Sequence, residues 1–396
     1  MTNNLLWSVV LYLIQPVFLI GLIYTQVNRN KRVTYTRERF RINFNRRNFE
    51  LSEYFLKGLL PGLILSLLSI FIGIPLTIEW YLIYQLLTII LLLLSGSRFI
   101  HPFFTFPVSV FIMYGLNFAE IDLPFEKLNQ VFNQNIFIVD QTTNQLPVLT
   151  MNLLLLVSLI LLVSTFSMNR SDEHKVYPIL KNSKRGKTVA KYQKNSLWAL
   201  PLMIIVPGEI IEPFADWWPL LNINGNQYAF LLLPLLVGFH YTVSTQFLED
   251  ATTKLQTEFR YLAISGIVLF IITYFYPRLS ILGILLLFIG GILILMRHRK
   301  RENMWSFRYG PADEGLRVIA VRKDSPAERL DLSIGDIILA LNDQELIDME
   351  EYYEVLANNR SYVKMRIRRK DGEIVMAETP LYDDDYNNLG LLLLDQ

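Results

Sequence analysis

Apolar positions come in long blocks over residues 1–301 and in short alternating runs after that. Nine stretches, roughly 5–27, 55–76, 80–94, 102–118, 147–168, 197–213, 228–248, 261–276 and 281–296, are apolar nearly throughout. A helix needs about 20 such residues to cross about 30 Å of hydrocarbon, so the pattern predicts nine membrane-spanning helices. The third, fourth, eighth and ninth are short, and a re-entrant pair would bring the count to seven. From 302 onward, Gly315 to Val321 predicts a strand and Ser325-Pro326-Ala327-Glu328 a helix start with a Ser cap. Gly335-Asp336 turns into a strand at 337–342, and Asp348 with Glu351 opens an amphipathic helix to about Asn358. Runs 362–369 and 373–379 flank Lys370-Asp371-Gly372-Glu373, a two-residue hairpin signal.

Charge divides the chain at the same place. Residues 1–301 carry 26 Lys/Arg against 16 Asp/Glu, whereas 302–396 carry 11 against 20, which the overall net charge of +1 conceals. Eight Lys/Arg fall in the loop 28–54, eight more in 169–196, and four at 297–301, whereas the loops 119–146 and 214–227 hold one between them. The positive-inside rule puts the three basic segments and the domain 302–396 in the cytoplasm. It puts the uncharged start Met1-Thr2-Asn3-Asn4 outside, with Trp217 and Trp218 as an outer aromatic belt. The start also lacks a positive signal-peptide region, so the first span is expected to be retained. The aromatics among the charges of 28–54 (Tyr35, Phe40, Phe44, Phe49, Tyr54) suit contact with membrane lipids, and no nucleic-acid partner is expected.

Polar residues inside spans point to transport or catalysis. Glu209 and Glu212, three apart in a Pro-bounded segment, and His240 in the next span form one candidate intramembrane site, for a transporter or sensor. Ordinary interfacial carboxylates and a packing histidine are the plainer alternative. Zero cysteines exclude disulfides and thiolate chemistry. The four histidines (101, 174, 240, 298) make no His-Glu-x-x-His and no other local metal motif, and no Gly-x-Ser-x-Gly occurs. No enzyme, metal or other cofactor is therefore expected.

The wording Gly-Leu-Arg-Val-Ile-Ala-Val, Asp-Ser-Pro-Ala and Ile-Gly-Asp-Ile-Ile-Leu-Ala-Leu-Asn closely resembles a circularly permuted bacterial PDZ domain over the last 90 or so residues. The fold class implied is a polytopic α-helical membrane domain (1–301) followed by a small β-rich PDZ-like domain with two helices (302–396). The resemblance implies a peptide ligand bound by strand addition beside the second helix. Met349, Tyr352, Tyr353 and Leu356 are then groove candidates, or barrel core. Two segments compete for the carboxylate-binding loop, Arg308-Tyr309-Gly310-Pro311 and Leu389-Gly390-Leu391, the second preferred because Pro311 lacks an amide hydrogen. Many spans followed by a terminal PDZ-like domain resemble the MinJ-like cell-division topological determinants of Gram-positive rods. That resemblance implies a non-enzymatic adaptor at the division septum and cell poles, with DivIVA-like and MinD-like partners.

Overall fold

The computed structural model describes residues 10–40, 48–121, 145–167, 176–183, 186–211, 217–220, 227–303, 307–358, 361–382 and 389–395, the side chains of 208–211 excepted. Among the described residues the membrane region has seven helices, the first half polar and the rest apolar: α1 (Pro16–Phe40), α2 (Phe49–Ile72, with a π-helical turn over Glu53–Lys57), α3 (Ile78–Ser95), α4 (Pro102–Phe118), α5 (Gln145–Ser167), α6 (Leu248–Phe275) and α7 (Ser280–Glu302). By length and composition α2, α3, α5, α6 and α7 can each cross a bilayer. Their outward faces expose Phe71, Leu93, Leu94 and Phe275, a large apolar surface that lipid tolerates and water does not. Helix α5 is apolar all round and buried along most of its length, the arrangement of a central helix.

The sixth and seventh predicted spans are not helices. Residues 188–211 and 228–243 are strands β2 (Thr188–Ile211) and β3 (Tyr228–Val243), paired antiparallel from Tyr192↔Val243 to Pro207↔Tyr228, with β1 (Tyr177–Asn182) on the other side of β2 at its base. Pro201, Pro207 and Pro234 would each break a helix. A hairpin tolerates prolines whose missing amide faces the open edge. That is the case for the partners Pro201 and Pro234. The outward-facing groups on β2 are those of odd residues such as Met203 and Ile205, and on β3 those of even residues such as Leu232 and Gly238.

Open sheet edges do not survive in hydrocarbon unless protein covers them, and the helices cover these. Gly58, Gly62 and Ser66 put a bare face of α2 against β2. A Cβ on Gly58 would lie 1.9 Å from the Ala199 carbonyl oxygen, and one on Gly62 2.5 Å from that of Pro201. Ser66 Oγ accepts from the Met203 amide (2.8 Å), and the Leu76 amide donates to Ile205 (2.9 Å). Along β3, Gln15 Nε2 donates to Leu232 O (3.0 Å), the Gly238 amide to Ile100 O (2.5 Å) and His298 Nε2 to Thr242 O (3.1 Å). At the far end, Trp218 is buried and donates its indole N–H to Ile70 O (2.7 Å), while Trp217 is half exposed. Only Trp217 therefore presents its ring outward as an aromatic belt would.

The basic segment 28–54 is also more structured than a loop. Helix α1 runs through it to Phe40, and Arg32 is buried in a two-bonded ion pair with Glu50, its guanidinium over the Phe49 ring.

The C-terminal domain is a sheet of order β8-β7-β5-β4-β9, made of β4 (Leu316–Val321), β5 (Ile337–Leu341), β7 (Tyr362–Arg368), β8 (Ile374–Pro380) and β9 (Leu391–Leu394), with β6 (Gln344–Glu345) on β5. Helices α8 (Pro326–Arg329) and α9 (Met349–Asn358) complete it. The turn at 370–373 forms where expected, with Gly372 at φ +92°. The expected Ser325 cap does not. Its hydroxyl donates back to Arg322 O (2.6 Å), and Glu328 instead accepts the Asp324 amide (2.6 Å).

Candidate functional site

Strand β9 ends the sheet, so among the described residues one of its edges has no neighbouring strand. Such an edge is the template on which an extended peptide can add. Helix α9 starts as its sequence dictates: Asp348 Oδ1 accepts the Glu351 amide (2.9 Å) and Glu351 accepts the Ile347 amide (2.8 Å). This box fixes the rotation of the helix. Tyr352 and Leu356 point into the domain core with Leu389 and Leu393, Met349 packs against its margin, and Tyr353 is 58% exposed. Burial pushes the Tyr352 phenol well above its ordinary pKa. The four helix candidates therefore divide, Tyr352 and Leu356 supporting the core and Met349 and Tyr353 remaining accessible to a ligand.

Gly390 sits at φ +80°, and a Cβ there would fall 2.4 Å from Ser325 Oγ, so only glycine fits this turn. The Leu389 and Gly390 carbonyls are tied to the Ala327 and Arg322 amides (3.0 and 2.7 Å), which orients the loop that leads Leu391 into the edge strand. The competing loop at 308–311 has another task. Tyr309 is fully buried; its hydroxyl accepts the Leu248 amide (2.8 Å), its carbonyl accepts the Ala190 amide (2.9 Å), and Gly310 O accepts from Arg317 Nε (2.6 Å).

Those bonds belong to a second feature, which periodicity could not announce: the PDZ-like domain is docked on the base of the intramembrane hairpin. The Tyr192 and Tyr309 rings pack edge to face at 4.6 Å, and Tyr192 OH donates to Ile319 O in β4 (2.5 Å). Arg308 lies over Phe247 at 5.2 Å. Glu302, at the end of α7, gathers the Ser244 and Thr245 amides, the Ser244 hydroxyl and the Gln246 side chain at 2.6–3.1 Å. Ile319, Ile334 and Leu394 thereby join the core of the membrane region. Tyr192 carried no motif, and Tyr309 stood out only as part of the competing loop. The one available signal was aromatic residues at both ends of a polar junction.

Of the intramembrane candidates, Glu209 and His240 lie at different ends of one hairpin. Glu209 falls in a strand rather than on a helical face, and Glu212 lies outside the described residues. His240 pairs with Asn195 toward the other end of the hairpin, twelve residues from Tyr228, or about 40 Å at strand rise.

A PDZ-domain family model matches residues 317–369. The chain is similar along its length to the cell division topological determinant MinJ of Bacillus subtilis, at 26% identity over 99% of this chain and 95% of that one. It is similar also to a probable MinJ of Lacticaseibacillus paracasei, at 25% over 98% of each.

Proposed function

We propose that this chain is a non-enzymatic membrane adaptor that recruits division-site proteins through its PDZ domain, held on the cytoplasmic side. The observation that carries the reading is the open edge of β9, with the Gly390 turn at its start, in a domain fixed to the membrane region rather than tethered to it. Confinement to a surface raises the effective concentration of membrane-bound partners, so a weak peptide contact suffices. The similarity to MinJ along nearly the whole chain supports division-site recruitment, with DivIVA-like and MinD-like proteins as the partners to test and the septum and poles as the place.

The test is the location of a functional fluorescent fusion in dividing cells. Enrichment at septa that is lost on deleting 303–396, and weakened by Tyr353→Asp on the exposed side of α9, is the expected result. Tyr353 suits this better than Leu356, whose burial makes any charge there a folding defect. Uniform membrane signal with normally placed septa in a deletion strain would overturn the reading.

A further inference from the structure

The face of the hairpin base that carries the odd-numbered residues of β2 collects positive charge. Alternate residues of a strand, and directly paired residues of neighbouring strands, share a face. Lys191, Gln193 and Asn195 of β2, His240 opposite Asn195, and Lys181 of β1 therefore stand together, the last by the pairing Ile179↔Lys191. Arg98 is brought to them by the 3-10 turn after α3. Ser97 Oγ donates to Asn195 Oδ1, the Ser97 amide donates to Tyr24 OH (2.9 Å), and Ile100 O receives the Gly238 amide.

The Arg98 and Lys191 charges both act on the His240 ring. Among the described residues neither Arg98 nor Lys191 has an ion pair. Burial, then the charges of Lys181 and Arg299, lower the Lys191 pKa against the pull of Glu302, and Glu302 is already engaged by the 244–246 segment. Next to this polar face the chain exposes apolar surface: Leu93 is 73% and Leu94 81% exposed in the last turns of α3, followed by Phe99. Cations and hydrogen-bonding groups beside lipid-facing leucines fit a ligand with a phosphate at one end and acyl chains at the other.

We infer that Arg98, Lys191, His240 and Gln193 form a binding site for the phosphate headgroup of an anionic phospholipid, in the leaflet on the PDZ-domain side. Arg98 and Lys191 pair with the phosphate, His240 and Gln193 supply hydrogen bonds, and Leu93, Leu94 and Phe99 receive the chains. A lipid seated there braces the sheet on which the PDZ domain rests.

The experiment measures thermal unfolding of the full chain in neutral detergent, with added short-chain phosphatidylglycerol, short-chain phosphatidylcholine or inorganic phosphate. Saturable stabilisation by phosphatidylglycerol alone is expected. Arg98→Gln should weaken the apparent affinity about fivefold, and Arg98→Gln with Lys191→Gln roughly thirtyfold. Arg98 is exposed, so its single variant folds whatever becomes of the double. Arg37→Gln with Arg39→Gln, near the end of α1, should leave the affinity unchanged. Undiminished stabilisation of Arg98→Gln, equal loss in the Arg37/Arg39 control, or reproduction of the effect by inorganic phosphate would each overturn the site.

Discussion

Replacing Gly58 by alanine tests the intramembrane hairpin directly. The new Cβ would lie 1.9 Å from Ala199 O, where ordinary contact begins at 3.4 Å, so α2 must withdraw from β2 by about 1.5 Å. At that separation the 2.8 Å bond from the Met203 amide to Ser66 is broken and the 2.9 Å bond from Leu76 to Ile205 O is strained. Overpacking costs about 1–3 kcal/mol and the one buried amide left unpaired about 1–3 more, giving a loss of roughly 2–6 kcal/mol. Gly115→Ala is the control. Nothing lies within 4 Å of its added Cβ, and the gain in helix propensity should stabilise by about 0.5–1 kcal/mol. Both variants would be compared with the parent by thermal unfolding followed with size-exclusion chromatography in one detergent. If Gly58→Ala unfolds at the same temperature as Gly115→Ala, α2 does not seal the edge of β2 and the hairpin assignment fails.

Three further outcomes follow from the PDZ domain and its seat. Tyr192→Phe removes the hydrogen bond to Ile319 O and should weaken docking by about 0.5–1.5 kcal/mol, seen as faster amide exchange in β4 with unchanged membrane insertion. Gly390→Ala forces a side chain into a left-handed turn against Ser325; peptide capture by the full chain should be lost while α6 and α7 keep their exchange protection. Burial raises the Asp336 pKa against the opposing effects of the Ser333 amide and Arg369, so the folded state holds that proton more tightly than the unfolded state. Its stabilising contribution is then present at acid pH and lost as pH rises through the raised value. Asp336→Asn should flatten that part of the stability profile, and an unchanged profile would show that another group titrates.

The division of the chain was legible because it rests on local quantities. Block-like apolar runs, the charge change at residue 302, the capping box at Asp348 and the Lys370-Asp371-Gly372-Glu373 turn depend on neighbours in sequence, and each sits where local chemistry puts it. Hydropathy reports how apolar a segment is, not which hydrogen bonds it makes, so 197–213 and 228–248 passed for helices. Their prolines were the warning, since Pro201 and Pro234 suit a paired strand with outward amides far better than two helix interiors.

Which surface covers the edges of that hairpin was decided only by tertiary structure. Gly58, Gly62 and Ser66 look like any small residues in an apolar run until the fold lays them on β2. The same holds for Tyr192 and Tyr309, more than a hundred residues apart, and for Ser97 beside Asn195. By itself the sequence determined a membrane region with a PDZ-like domain after it. The fold alone determined that a β-hairpin runs through the helices and seats that domain, because a strand's unpaired edge is satisfied by whatever packs on it, and packing is not written in any one segment.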